Sequence, residues 1–176
     1  EWVAEASSDD FSFEVDSAVR FLRIQFGAED TTLQQRLCET MRTPPPSVSV
    51  WRPLAQGILL WDRPGDWILC GAEEFLKKQE LRLRALSGSG GVVAVVASEE
   101  LVALRMSGPG VNDILSDTCG YDFHHRSGAQ AMATCFESVK VRLVLDATDA
   151  AGCRNCRLIF DRSYLHYVVG RLVANH

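Results

Sequence analysis

Along FLRIQF, from Phe21 to Phe26, apolar and polar positions alternate. Leu22, Ile24 and Phe26 share one face, and Arg23 and Gln25 share the other. A period of two predicts a half-buried strand. After Gly27 and an acidic pair, Leu33, Leu37 and Met41 recur at spacing four. That spacing predicts a short amphipathic helix, with Thr31 and Thr32 as cap candidates. RTPPPSVSVWRP, from Arg42, is expected to be a loop, because consecutive prolines offer no N–H to a ladder. In GILLWDRPGDWILCG, from Gly57, two apolar runs flank the turn residues Asp62 to Asp66. This is the signature of a β-hairpin. A second helix is expected with Phe75, Leu76, Leu83 and Leu86 on one side and Lys77, Lys78 and Glu80 outside, ended by SGSGG from Ser87. VVAVVAS, from Val92, is a continuous apolar, β-branched run and reads as a strand buried on both faces.

The second half repeats the rhythm. Val102, Leu104 and Met106 alternate with Ala103 and Arg105, and a Gly-Pro-Gly corner follows. Val111, Ile114 and Leu115 then mark a short helix with Gly120 as its C-terminal cap. Strands are expected near Gln130–Glu137 and Val139–Asp146, and again at RLIF from Arg157. Tyr164, Leu165, Val168, Val169, Leu172 and Val173 form an apolar stripe at helical spacing. The pairs Leu22-Arg23 and Leu104-Arg105 lie 82 positions apart. Both halves read β-α-β-β-α, the split order of a ferredoxin-like unit. The expected class is therefore α+β, with antiparallel sheets and helices packed on one face. The expected division is 1–98 and 99–176, packed as one compact unit.

Composition narrows the function classes. The chain has 176 residues, 18 Lys plus Arg against 23 Asp plus Glu, and a net charge of −5. That balance argues against a nucleic-acid partner, which wants a basic stripe. No apolar run approaches the roughly 20 residues of a membrane span. The opening EWVAEASSDDFSFEV has neither the charged region nor the apolar core of a signal peptide, so a cytoplasmic protein is expected. The cysteines at 38, 70, 119 and 135 stand singly among apolar neighbours and read as reduced, buried thiols.

Candidate chemistry is sparse. Gly108-Pro109-Gly110 resembles the start of a dinucleotide fingerprint, but Asp113 stands where the third glycine belongs. A carboxylate there repels an anion from the helix start, and Pro109 removes an amide from any phosphate cradle. A tight strand-to-helix turn is the expected role. Cys153-Arg154-Asn155-Cys156 is an unaccompanied C-x-x-C, which does not supply a four-ligand zinc site, and its cysteines are expected to be solvated turn residues. His124 and His125 are adjacent, so on a strand they would point apart rather than share a metal. His166 is expected on a helix surface, and Asp62, Asp66 and Asp161 as turn or cap residues. No catalytic, cofactor-binding or metal-ligating residue is assigned.

Two stretches do resemble a known family. GILLWDRPGDWILCG and ALRMSGPGVNDILSDTCGYDFH resemble segments of the γ subunits of heterotetrameric sarcosine oxidases, and RLIFDRSYLHYVVGRL is similar to their closing strand and helix. The likeness runs through most of the chain from Phe21, and its motifs recur in the wider glycine-cleavage T-protein-like superfamily. The turn Arg63-Pro64-Gly65-Asp66 and the long Asp146–Asn155 segment depart from the family pattern. The resemblance implies a T-protein-like fold and a non-catalytic small subunit. Its complex would demethylate sarcosine oxidatively to glycine, with tetrahydrofolate and oxygen. FAD, FMN and NAD would be held by partner subunits and none by this chain. The implied partners are larger α and β flavoprotein subunits and a small δ subunit. Exposed apolar surface, such as Trp2, Trp51 and Phe123, would suit such packing. The alternatives are a subunit of another secondary-amine oxidase or dehydrogenase, or a folate-binding T-protein-like module. The Lys-Gly-Cys-Tyr motif of folate-binding iron–sulfur maintenance proteins is missing from GYDFHHRSGAQAMATC.

Overall fold

The computed structural model describes residues 5–7, 10–86, 94–125 and 128–174. Strands β1 (Glu5–Ser7) and β2 (Ser12–Val15) open the chain. They belong to one compact unit with Glu100–His176, while Ala18–Glu99 forms the other.

The unit of Ala18–Glu99 runs β3 (Val19–Gln25), α1 (Thr31–Met41), β4 (Arg52–Leu54), β5 (Gly57–Arg63), β6 (Asp66–Ala72), α2 (Glu73–Arg84) and β7 (Ala94–Ala97). Its sheet has the order β4-β5-β6-β3-β7, and every pairing is antiparallel. Leu33, Leu37 and Met41 are the buried face of α1, as their spacing predicts. Its cap is Asp30 rather than either threonine: the Asp30 carboxylate accepts from the Leu33 N–H at 2.8 Å. An Asp one turn ahead satisfies an orphan amide and sits favourably at the positive end of the helix. Arg42 closes α1 in the left-handed conformation. The core packs Leu22 and Ile24 of β3 and Trp67 and Leu69 of β6 against both helices. Trp67 is 1% exposed and meets Phe26 edge-to-face at 4.8 Å. Such a pair adds about 0.5–1.5 kcal/mol to the burial itself.

Two expectations in this unit need correction. The proline-rich loop ends in β4, an edge strand in which Pro53 stands opposite Ile58. A proline survives there because an edge strand leaves one row of amides unpaired. The run from Val92 is also an edge: β7 pairs with β3 alone, Val95 is buried, and Val96 is 53% exposed. The apolar run named a strand correctly and its burial wrongly, since one sheet face and one flank remain open. The SGSGG terminator lies outside the described residues.

The second unit adds β8 (Leu101–Gly108), α3 (Val111–Cys119), β9 (Gln130–Phe136), β10 (Val139–Leu145), β11 (Arg154–Asp161) and α4 (Leu165–Ala174). Its sheet has the order β1-β2-β8-β11-β10-β9, again antiparallel throughout. The core lies between α3 and α4 and the sheet face carrying Leu104, Leu143, Leu158 and Phe160. Val168, Val169 and Leu172 fill it from α4. Gly120 caps α3 in the left-handed region, as expected.

The two sheets are topological copies. The order β5-β6-β3-β7 in one corresponds to β10-β11-β8-β2 in the other, the split βαβ arrangement of ferredoxin-like units. β4 and β9 extend the matching edges. The place beside β3 held by β7 is taken, beside β8, by β2 from the front of the chain. The fold is α+β, with four α-helices and two antiparallel sheets among the described residues.

Candidate functional site

The glycine corner after β8 is a structural turn. Gly108 has φ +126°, and a Cβ there would come within 2.5 Å of the Asp10 carbonyl oxygen. The Gly110 N–H donates to that same oxygen at 2.8 Å. The amide a phosphate would need is thus already taken by the chain running into β2. Asp113, in the first turn of α3, lies 3.1 Å from His124 Nε2. His125 Nδ1 lies 2.5 Å from Asp122. The two histidines are in a turn rather than a strand, and each faces its own carboxylate. No group of three His, Cys, Asp or Glu side chains converges as a metal site among the described residues.

The C-x-x-C is split by burial. Asp149 Oδ1 accepts from the Ala151 and Cys153 amides, closing the turn ahead of β11. Cys156, expected in solvent, is a buried core residue of β11 instead. Burial pushes its thiol far up, and burial also raises Cys119 to about 11. Protonated, buried sulfur is a poor nucleophile. Cys135, expected to be buried, is exposed. All six cysteines are free thiols.

The carboxylates expected as turn residues have structural partners. Asp161 accepts from the Ser163 N–H at 2.8 Å, a cap at the end of β11. Asp66 is 2% exposed and anchors the β5–β6 hairpin to β3. It receives Gln25 Nε2 at 3.1 Å and Arg63 Nε at 3.0 Å, and lies 3.2 Å from Arg23 Nε. Arg23 also reaches Asp62 at 3.0 Å. The arginine at the equivalent place in the other unit, Arg105, pairs with Asp16 at 2.8 Å and Glu14 at 3.4 Å. The repeated Leu-Arg therefore pairs an outward arginine with neighbouring carboxylates in each sheet. Of the apolar surface expected to be exposed, Trp51 is half-buried and Phe123 is fully buried, held down by its N–H donating to Ser116 Oγ. Trp2 lies outside the described residues.

One concave site in the unit of Ala18–Glu99 went unnoticed in the sequence. It is a concavity open to solvent, of about 430 Å³, where the end of α1, β4 and α2 meet. That is within the range of small-molecule pockets. Phe75, Gln79 and Arg82 reach it from one stripe of α2, at helical spacings of four and three. Met41 and Leu54 supply apolar wall, and Arg42 stands at the left-handed end of α1. The Thr43 and Arg42 amides satisfy two carbonyls of the final α1 turn, those of Cys38 and Glu39. Both guanidiniums are exposed and form no ion pair or side-chain hydrogen bond among the described residues. Gln79 is only 9% exposed, yet its Oε1 is buried with no hydrogen-bond partner. Leaving such a group unpaired costs about 1–3 kcal/mol. Position 79 falls in phase with Phe75, Leu76 and Leu83, but among the Lys, Glu and Arg of this helix a glutamine there does not stand out in the sequence.

Comparison with known proteins bears on the fold. No family model matches the sequence, and no curated protein does. Among solved structures, the chain is similar to one of heterotetrameric sarcosine oxidase from Corynebacterium sp. U-96, solved in complex with pyrrole 2-carboxylate. The TM-score is 0.79 at 19% identity, over 97% of this chain and 86% of that one. It is also similar to aminomethyltransferase T of the glycine cleavage system from Bartonella henselae, with TM-score 0.62 and 12% identity. There it covers 92% of this chain but 45% of the other, so it spans less than half of the transferase. At these identities the likeness establishes a shared fold: that of a chain of the heterotetrameric oxidase and of part of aminomethyltransferase T.

Proposed function

We propose that this chain is the non-catalytic small subunit, of the γ type, in a flavin-dependent complex that oxidises sarcosine or a related secondary amine. The observation that carries the reading is mutual coverage. The chain and its sarcosine oxidase counterpart match over 97% and 86% of their lengths, so the counterpart is itself a short chain within a heterotetramer. The free-standing transferase is more than twice as long as the part it shares. The structural turn at Gly108, the paired Asp66 and the buried Cys156 support a packing role over an autonomous active site. In this reading the larger partner subunits hold FAD, FMN and NAD, and tetrahydrofolate accepts the one-carbon unit within the complex.

Affinity purification from the native source, at endogenous level, tests the reading. Expected is a stoichiometric complex with larger subunits, a flavin absorbance spectrum and sarcosine-dependent peroxide formation. The isolated chain is expected to turn over no amine. A colourless monomer that binds tetrahydrofolate would replace this reading with that of a folate-binding T-protein-like module, which the shared fold with aminomethyltransferase T also supports.

A further inference from the structure

We infer that the free edge of β9 receives an extended segment of a partner protein, added as a further strand and carrying carboxylate side chains at alternate positions. Four strands end the two sheets: β1 and β9 in one, β4 and β7 in the other. Three of them are short or obstructed. β1 and β4 are three residues long, β7 is four, and β4 also carries Pro53. Short edges and prolines keep other chains from adding to a sheet. β9 has neither protection. It runs for seven residues, Gln130–Phe136, without a proline or a charged side chain, and pairs in unbroken register with β10. Glu137 and Ser138 make a two-residue turn, so Phe136 and Val139 are a hydrogen-bonded pair, as are Thr134 with Val141 and Met132 with Leu143. The backbone groups of Ala131, Ala133 and Cys135 therefore point the other way, out of the sheet edge. Ala133 and Cys135 are exposed, and no hydrogen bond reaches their outward backbone groups among the described residues.

Charge on the neighbouring strand selects the occupant. Met132 and Phe136 pack into the core, so Ala131, Ala133 and Cys135 lie on the opposite face. On that face Lys140 stands directly opposite Cys135, and Arg142 opposite Ala133. Lys140 is exposed and has no acidic partner among the described residues. Adjacent strands lie about 4.8 Å apart, so a strand laid on β9 would run about 9.6 Å from β10. The alanine and cysteine side chains between them are short. They leave the lysine ammonium room to extend over β9 and meet a glutamate or aspartate of the added strand. In such an addition the main-chain bonds supply affinity and the alternate side chains supply specificity. A second copy of this chain is the poorer fit. Pairing β9 with its own counterpart would set Lys140 and Arg142 of both copies on one shared face, where like charges repel.

The probes are capped, fluorescently labelled peptides of about nine residues, one alternating valine with glutamate and one alternating valine with lysine, titrated with the full chain and followed by anisotropy. Expected is saturable binding of the glutamate peptide with Kd below about 1 mM, at least about threefold tighter than the lysine peptide. Ala133→Pro removes an amide that bonds nothing within the chain, so it should weaken the glutamate peptide at least about tenfold. The glutamate peptide with every amide N-methylated can donate nothing to the edge and should not bind, an arm that needs no variant to fold. Lys140→Glu, an exposed change, should bring the glutamate and lysine peptides within about twofold of each other. Absence of saturable binding of the glutamate peptide at about 10 mM overturns the inference. So does equal binding of the lysine or the N-methylated peptide. A dimer of the native chain in size-exclusion light scattering that Ala133→Pro converts to monomer assigns the edge to a second copy and overturns it too. The edge belongs to β9 and β10 alone, so its test is separable from the amine-oxidising reading. Peptide binding without a copurifying flavoprotein upholds the edge and not that reading, and a flavoprotein complex without peptide binding does the reverse.

Discussion

Arg105 on β8 stands directly opposite Arg157 on β11, and the buried carboxylate of Asp16 approaches both. It lies 2.8 Å from Arg105 Nε and 3.9 Å from Arg157 Nη2. Like charges directly opposed across a sheet are destabilising. Asp16 offsets that repulsion, and it does so from the end of β2. Asp16→Asn is therefore expected to lower stability by about 2 kcal/mol, since the charge that balances two guanidiniums is removed. The melting midpoint should fall by roughly 4–8 °C. Adding Arg157→Gln should restore at least about 0.5 kcal/mol, the sign of coupled neighbours. Strictly additive losses in the double-mutant cycle would show that the opposed arginines do not interact.

The glycines after β8 and α3 provide a matched pair. Gly108 has both a φ of +126° and a carbonyl oxygen where a Cβ would go. Gly120 has φ +61° and open space around it. Gly120→Ala should cost about 1 kcal/mol, the ordinary penalty of a left-handed residue. Gly108→Ala should cost clearly more, because the Asp10 backbone must also move. Urea denaturation of both variants gives the comparison, and equal midpoints would contradict it.

Thiol reactivity should separate by depth. Cys135 is exposed, whereas Cys70 and Cys156 are buried. With Cys119 raised to about 11, only about one in a thousand of its thiols is ionised at pH 8. Brief iodoacetamide treatment at pH 8, followed by peptide mass spectrometry, should find Cys135 modified first. Cys119 and Cys156 should react only after unfolding. Early modification of Cys156 would refute the burial of β11.

Stability should fall at both ends of the pH range. Glu137 is held below its ordinary value, first by the Tyr167 hydroxyl and then by Arg171, both from α4. A depressed carboxylate stabilises the fold above its unfolded value and loses that contribution as pH falls below it. Cys119 behaves oppositely: its folded value is raised from 9.0 to about 11, so the folded state retains its proton more tightly. Its contribution is complete below pH 9 and disappears as pH rises toward 11. Thermal melts should drop below about pH 4.5 and above about pH 9, with Glu137→Gln flattening the acid limb and Cys119→Ala the alkaline one. An alkaline limb unchanged in Cys119→Ala would assign it to other groups.

The parts of this fold that read out from sequence are those set by near neighbours. Leu33, Leu37 and Met41 define their helix alone, and Trp61 and Trp67 meet across a turn a few residues long. What failed to read out depends on distant partners. Ser12–Val15 is four residues with little pattern, and it becomes a strand because β8 offers an edge. Val96 looks like core until β7 is seen to have one neighbour. Phe123 looks exposed in its polar segment, yet it drops into the core beneath Tyr121, whose ring lies 5.3 Å away. The α1–α2 site was illegible for the same reason. Gln79 reads as one more polar residue on a charged helix, and only its packing beneath β4 and the end of α1 buries it.

The strand that takes β7's place beside β8 has a temporal consequence. Ser12 finds Ser107 only after the intervening 95 positions have been made. At ordinary rates of synthesis this is an interval of roughly 5–20 s. All the strands of the Ala18–Glu99 sheet are made during that wait, while β2 has only the short β1 beside it and its other edge awaits β8. Ser12–Val15 is thus locked later than the whole unit made after it, and its length of exposure is fixed by the size of that inserted unit.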